Sequence, residues 1–285
     1  MRNKKTALIT GASGGLGNAL CRQFASAGYR LILSGRNPAR LRARAEYLSR
    51  VYGVSVCYFA GDLGVKGAAR ELCARLEARG ETVDVLVNNA GLGLGGRFAE
   101  NTRKAQEELL YVNIHAVTEL CRHFLPRMTE QGYGKILNIA SLGSLVAGPG
   151  NAVYCACKAY VLSLSEALSR EARGSGVTVT ALCPGAINTG FAKRANMEST
   201  LLFNLFVLEP EKVAQAAINA MIRAKPVAVT GKAAKLAAAC IRLIPRSSAA
   251  VISELFQRPL TRPAQKPRTA ATNTAIPLLS QRTDQ

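Results

Sequence analysis

The sequence predicts an α/β protein: a doubly wound parallel sheet forming a single domain, with a helical extension toward the C-terminus. Three observations lead there. Short, near-continuously apolar runs alternate with longer helical patterns, a glycine-rich turn follows the first of these runs, and 48% of the 285 residues are apolar, enough for a substantial core. No internal repeat of about 20 to 50 residues breaks this rhythm.

The candidate strands are TALIT (6–10), RLILS (30–34), VSVCYF (54–59), VDVLV (83–87), GKILNIAS (134–141) and VTVTALC (177–183). Strands covered by helices on both faces lose the alternation of a half-exposed sheet, and these runs are apolar almost throughout. The domain is expected to span 1–257. From Arg258 onward the sequence turns to Pro, Thr, Gln and basic residues without periodicity, which predicts a disordered basic tail over 258–285.

The first strand runs into T-G-A-S-G-G-L-G, Thr10 to Gly17, and then into the helical pattern NALCRQFASAG. Gly11, Gly15 and Gly17 allow a tight turn and a close backbone approach to a pyrophosphate, which would sit at the positive end of the following helix. A glycine turn carries this meaning only between a first strand and a first helix, and that is its context here. The second strand ends in Ser34-Gly35-Arg36-Asn37. An acid at this point would bond the 2′-hydroxyl of NAD and repel the 2′-phosphate of NADP. Arg36 in its stead predicts NADP(H).

The stretch VYCACKAYVLSLSEALSRE, 153–171, lacks Gly and Pro and repeats apolar residues at helical intervals. Residues four apart share a helix face, so Tyr154 and Lys158 can point into one cleft, whereas Cys155 and Cys157 lie about two steps of 100° apart and diverge. The cysteines therefore read as packing. A phenol with an ordinary pKa of about 10 needs a positive neighbour to exchange protons near neutral pH, and Lys158 can be that neighbour. Neither His115 nor His123 has a partner at metal-ligand spacing, and no metal is expected.

Together these motifs resemble the short-chain dehydrogenase/reductase family. The residues that carry the resemblance are T-G-x-x-x-G-x-G at Thr10 to Gly17, Asp62 after the third strand, N-N-A-G at Asn88 to Gly91, Asn113, Ser141, Tyr154 with Lys158, and Pro184-Gly185 with Thr189. They come in the family's order and spacing from about residue 4 to 190, and the looser likeness beyond is to 3-oxoacyl reductases and hydroxysteroid dehydrogenases. The resemblance implies a Rossmann fold and an NADP(H)-dependent enzyme that moves a hydride between the nicotinamide and a carbonyl/alcohol pair. Tyr154 would be the acid, Lys158 its charged neighbour and a holder of the nicotinamide ribose, and Ser141 the hydroxyl that orients a carbonyl, with Ser144 a weaker candidate for that duty. The side chain of Asn113 would hold a water that relays protons to Lys158. Gly11, Ser13, Gly15, Leu16, Gly17, Arg36, Asp62, Asn89, Ala90, Gly91, Pro184, Gly185 and Thr189 would join Tyr154 and Lys158 in binding the cofactor. The family's habit of pairing its fourth and fifth helices implies a homodimer or homotetramer.

Residues 191–210, FAKRANMESTLLFNLFVLEP, would form a flap over the substrate, and their apolar character favours an acyl thioester, a steroid or a long-chain ketone. Two other readings compete with a reductase: a catalytically silent NADP(H) sensor, and a scaffold on a membrane. Intact Ser141, Tyr154, Lys158 and Asn113 favour the enzyme, since a sensor needs no acid.

Charge is lopsided, with 37 Lys and Arg against 18 Asp and Glu for a net +19. From Lys212 onward stand twelve Lys and Arg against two acids. No aromatic-rich basic stretch accompanies them, so nucleic acid is not an expected partner. Within 232–257 two helical patterns part at Pro245. The first gathers Leu236, Cys240, Leu243 and Ile244 on one side, and the second gathers Val251, Ile252, Leu255 and Phe256. Such faces can cover the catalytic cleft or rest weakly on an anionic membrane. Eight scattered cysteines without a C-x-x-C, an N-terminal apolar run too short for a signal peptide and the lack of a long apolar span predict a cytoplasmic protein, with peripheral contact to the inner face of a membrane as the alternative.

Overall fold

A computed structural model of the chain describes residues 5–201 and 207–257. The expected tail, 258–285, and residues 202–206 of the expected flap lie outside the described residues. Seven strands form one parallel sheet: β1 (Thr6–Thr10), β2 (Arg30–Gly35), β3 (Val56–Ala60), β4 (Val85–Asn88), β5 (Gly134–Ile139), β6 (Val177–Pro184) and β7 (Val227–Thr230). Their order is β3-β2-β1-β4-β5-β6-β7. Six of them match the apolar runs of the sequence. The seventh, VAVT, is too short to stand out by pattern and earns its place by pairing with β6, Ala181 beside Val227 through Pro184 beside Thr230.

Helices cover both faces. On one side pack α3 (Ala68–Glu77), α5 (Ala116–Glu130) and α6 (Ala152–Glu171), and on the other α1 (Gly15–Ser26), α2 (Pro38–Tyr52) and a later helix, Pro210–Ile222. Between them in the chain come α4 (Arg103–Leu110) and the single turn α7 (Phe191–Arg194), so the Pro210–Ile222 helix is α8, followed by α9 (Lys232–Ile241) and α10 (Arg246–Gln257). Alternation along β1 shows how a continuous apolar strand serves two cores. Leu8 joins Leu72, Phe124 and Val161, whereas Ala7 and Ile9 join Phe24, Leu41 and Val213.

The sheet order reverses direction at β1: the chain steps outward to β2 and β3, then crosses back to β4. Loops leaving β1 and β4 therefore diverge and open a crevice at the C-terminal edge of the strands, where ligands bind in open sheets of this kind. Thr10 and Asn89 close the floor of that crevice. The Thr10 Oγ1 accepts from the backbone N–H of Asn89 and of Ala90, each at 3.0 Å, and donates to the Val87 carbonyl at 3.2 Å. Asn89 Nδ2 returns a bond to the Thr10 carbonyl at 2.8 Å.

Candidate active site

The glycine turn leaves β1 through Gly11, whose φ of +64° lies in the left-handed region that favours glycine. Gly17 sits so close to this turn that a Cβ on it would come within 2.1 Å of the Gly11 carbonyl oxygen. The α1 helix thus begins hard against the end of β1. Its N-cap is Gly14, with no side chain capping the first turn and no acid within it, so the positive helix end is left for an anion. Thr189, after β6, packs over Gly15 and caps the N–H of Phe191 at 3.2 Å.

At the end of β2, Asn37 caps α2 by accepting from the Arg40 N–H at 2.9 Å, with Pro38 in the first helical turn. Arg36 is fixed at the root of that cap and carries an exposed guanidinium, 3.9 Å from the Asp62 carboxylate. Arg40, which sequence reasoning passed over, lines the same cavity. Its place four residues after Arg36 was the available signal. Two guanidiniums at the end of β2, with a bare helix N-terminus alongside, fit a dinucleotide that carries an additional phosphate on its ribose.

Tyr154 and Lys158 lie one turn apart on α6, as their spacing predicts, with the Lys158 Nζ 5.8 Å from the Tyr154 ring centroid. Lys158 is buried and donates to the Ile139 carbonyl at the end of β5, at 2.8 Å. Burial holds its pKa down at about 8. Burial pushes the Tyr154 phenol the other way, up to about 12, against a hydrogen bond with Ser141 that pulls it down. At neutral pH the pair is therefore a neutral phenol beside an ammonium. The short helical turn after β5 holds Ser141: its Oγ accepts from the Gly143 N–H while Ser144 Oγ accepts from the Ser141 N–H, both at 3.1 Å. Ser144 thus acts on Ser141 rather than facing the cavity.

Asn113 is held by backbone. It lies in a π-helical turn, Tyr111–His115, inserted between α4 and α5, with the Ala116 N–H reaching back to the Tyr111 carbonyl. Its fully buried amide is bonded twice to Leu92, donating to the carbonyl at 2.8 Å and accepting from the N–H at 3.1 Å. Both ends of the side chain are engaged by backbone, so the amide orders the loop after β4. Gly91 lies between Asn113 and Lys158: a Cβ there would meet the Asn113 Oδ1 at 3.2 Å and the Lys158 Nζ at 3.5 Å.

A cavity of about 1040 Å³ gathers Gly11, Ser13, Gly15, Leu16, Gly17, Arg36, Asp62, Asn89, Ala90, Gly91, Ser141, Tyr154, Lys158, Pro184, Gly185 and Thr189, every expected site residue except Asn113 and the weaker candidate Ser144. Beyond Tyr154 its walls turn apolar. Phe191 stacks obliquely at 5.7 Å from the tyrosine ring, and Met197, Leu208, Ile241, Ile252 and Phe256 continue the surface. The last three come from the end of α9 and from α10, which flank the mouth. Cys155 and Cys157 are buried in α6, and burial lifts both thiols to about 11, as packing residues require. Among the described residues no group of three or more His, Cys, Asp and Glu could hold a metal ion.

Comparison with known proteins matches residues 5–200 to the family described as short chain dehydrogenase. The 3-oxoacyl-[acyl-carrier-protein] reductase FabG of Rickettsia bellii is 34% identical over 194 residues, 68% of this chain and 77% of that protein. Among solved structures, a short-chain dehydrogenase from Sphingobium yanoikuyae in complex with NADPH superposes with a TM-score of 0.75 at 31% identity, over 90% of this chain and 99% of that one. The bulky-bulky ketone specific alcohol dehydrogenase from Comamonas testosteroni gives a TM-score of 0.71 at 28% identity, over 85% and 93% of the two chains.

The lysine's burial predicts a pH dependence. Lys158 loses its proton at about 8 in the fold against an ordinary value of 10.5, so between those values the unfolded chain binds more protons and this residue's contribution to folding stability rises with pH. Urea unfolding at about pH 7 and about pH 9.5 should show wild-type protein gaining stability relative to Lys158→Met as the pH rises. Parallel pH dependences in the two proteins would contradict a depressed lysine.

Proposed function

The chain belongs to the short-chain dehydrogenase family, and on that premise we propose that it transfers a hydride between NADP(H) and the carbonyl/alcohol pair of an apolar substrate. One observation carries the reading: Tyr154, Lys158 and Ser141 converge on a cavity whose other end is built from the glycine turn and Arg36. The cofactor's pyrophosphate would rest on the turn and the N-terminus of α1, and its 2′-phosphate between Arg36 and Arg40. When bound, NADPH supplies the hydride that reduces the carbonyl carbon.

The chain's own residues handle the oxygen. Ser141 Oγ hydrogen-bonds the substrate carbonyl and fixes it beside the Tyr154 hydroxyl. Tyr154, whose phenol burial keeps protonated, gives its proton to that oxygen as negative charge builds there. Lys158, an ammonium below about pH 8, stabilises the phenolate left behind. The same groups run backwards for alcohol oxidation. Phe191, packed against the Tyr154 ring, and the buried Met197 exclude water from the reacting carbon and favour a long apolar group over a short polar one. An acyl thioester, a steroid or a long-chain ketone meets that description, and the kinship with a 3-oxoacyl reductase and a bulky-ketone enzyme supports it.

Two substitutions test the assignment. Tyr154→Phe keeps the ring and removes the proton, so turnover of NADPH with an apolar ketone should fall by about two orders of magnitude or more while the cofactor still binds; undiminished turnover would remove Tyr154 from the mechanism.

Arg36→Ala removes a charge-assisted contact worth about 1.5 to 3 kcal/mol, so the apparent constant for NADPH should rise roughly ten-fold to a hundred-fold with that for NADH nearly unchanged. Equal losses with the two cofactors would show that Arg36 does not read the 2′-phosphate.

A further inference from the structure

Helices α9 and α10 are amphipathic in the reverse of the usual sense. A helix packed on a core buries its large apolar side chains. Here α9 buries Ala234 and Ala238 and leaves Leu236 68% exposed, and α10 buries Ala249 and exposes Val251, Ile252, Leu255 and Phe256 by 61%, 45%, 49% and 36%. Leu243, in the bend between them, is 86% exposed. Large apolar side chains of this segment therefore stand at the surface, several of them on the rim of the cavity. Small residues hold the helices down, and large ones are held out.

Two further observations say what belongs against them. Leu236, Ile252 and Phe256, together with Val207, are at once exposed and part of the cavity wall, so the patch is the lip of the cavity mouth and continuous with its apolar interior. Around it stand Lys232, Lys235, Arg242 and Arg246, all exposed, against the single acid Glu254 within 232–257. A second copy of so cationic a surface would meet like charge. The lip offers one aromatic ring, Phe256, where a nucleic-acid surface would offer stacking platforms. Large apolar side chains ringed by Lys and Arg match the boundary of an anionic bilayer, where acyl chains lie beneath phosphate headgroups.

We propose that the α9–α10 lip docks the protein on an anionic lipid surface, with the cavity mouth opened toward the acyl chains. Among the described residues no helix is long and apolar enough to cross a membrane, so the contact is peripheral. Docking stands apart from the hydride-transfer reading, and only the delivery of an apolar substrate from the bilayer rests on it.

Sedimentation of the purified full-length protein with vesicles tests the docking. Phosphatidylcholine vesicles containing phosphatidylserine should bind at least about ten-fold more protein than phosphatidylcholine alone, and about 0.5 M salt should release most of it. Arg242→Glu with Arg246→Glu, and separately Leu243→Asp with Leu255→Asp, should each abolish pelleting. None of these four residues lines the cavity, so NADPH binding and turnover of a water-soluble ketone should stay at wild-type levels, which also certifies the fold of the variants. Protein left in the supernatant with anionic vesicles at low salt would overturn the proposal. So would pelleting that both variants retain, a fall in oligomeric mass on Leu243→Asp that marks the lip as a contact between copies, or duplex DNA binding without vesicle binding.

Discussion

The seam between β1 and β4 is the constraint on which the rest of the site depends. Parallel strands on either side of it send their chains in opposite directions, and without a tie the two loops would part. Thr10 and Asn89 provide the tie, exchanging side-chain and backbone hydrogen bonds across the gap. Because the Thr10 hydroxyl accepts from two neighbouring N–H groups at once, the backbone at Asn89–Ala90 is held in place. Gly11 can then turn beneath it and Gly17 can close on Gly11, which sets the start of α1. The same fixed loop continues to Gly91 and Leu92, where Asn113 clamps it from the π-helical turn. One edge of the sheet thus arranges both the uncapped N-terminus of α1 and the approach to Lys158.

Burial does the electrostatic tuning. The ammonium of Lys158 is buried and bonded to the Ile139 carbonyl, and the phenol of Tyr154 lies beside it. Low polarity disfavours the charged form of each, lowering one pKa and raising the other. The result at neutral pH is a protonated phenol with an ammonium beside it, the arrangement that the proposed proton transfer requires. An exposed tyrosine and lysine at the same spacing would have neither shift.

Much of this was legible in the sequence because it is written in backbone requirements. A glycine at +64° or against a carbonyl oxygen leaves a mark that no side-chain packing can imitate, and strands buried on both faces read as unbroken apolar runs. Tyr154 and Lys158 were legible because a helix fixes which residues share a face. What stayed illegible has one cause: partners supplied by tertiary structure. β7 is four residues that become a strand through β6. Residue spacing shows neither the Leu92 backbone that holds both ends of the Asn113 amide nor the Ser141 N–H that donates to Ser144. In α9 and α10 periodicity located the large apolar residues correctly, but it could not tell which face the fold would cover.

The account turns on a hydride passing between a nicotinamide and an apolar carbonyl held at Tyr154, and isotope transfer tests that most directly. Full-length protein would be incubated with NADPH deuterated at the reactive nicotinamide carbon and with a long-chain ketone or oxoacyl thioester, and the alcohol formed would be read by mass spectrometry. The account predicts deuterium on the new carbinol carbon, with the hydroxyl hydrogen drawn from water. An alcohol without the label, or no alcohol from any apolar carbonyl while small polar ones are reduced, would contradict it.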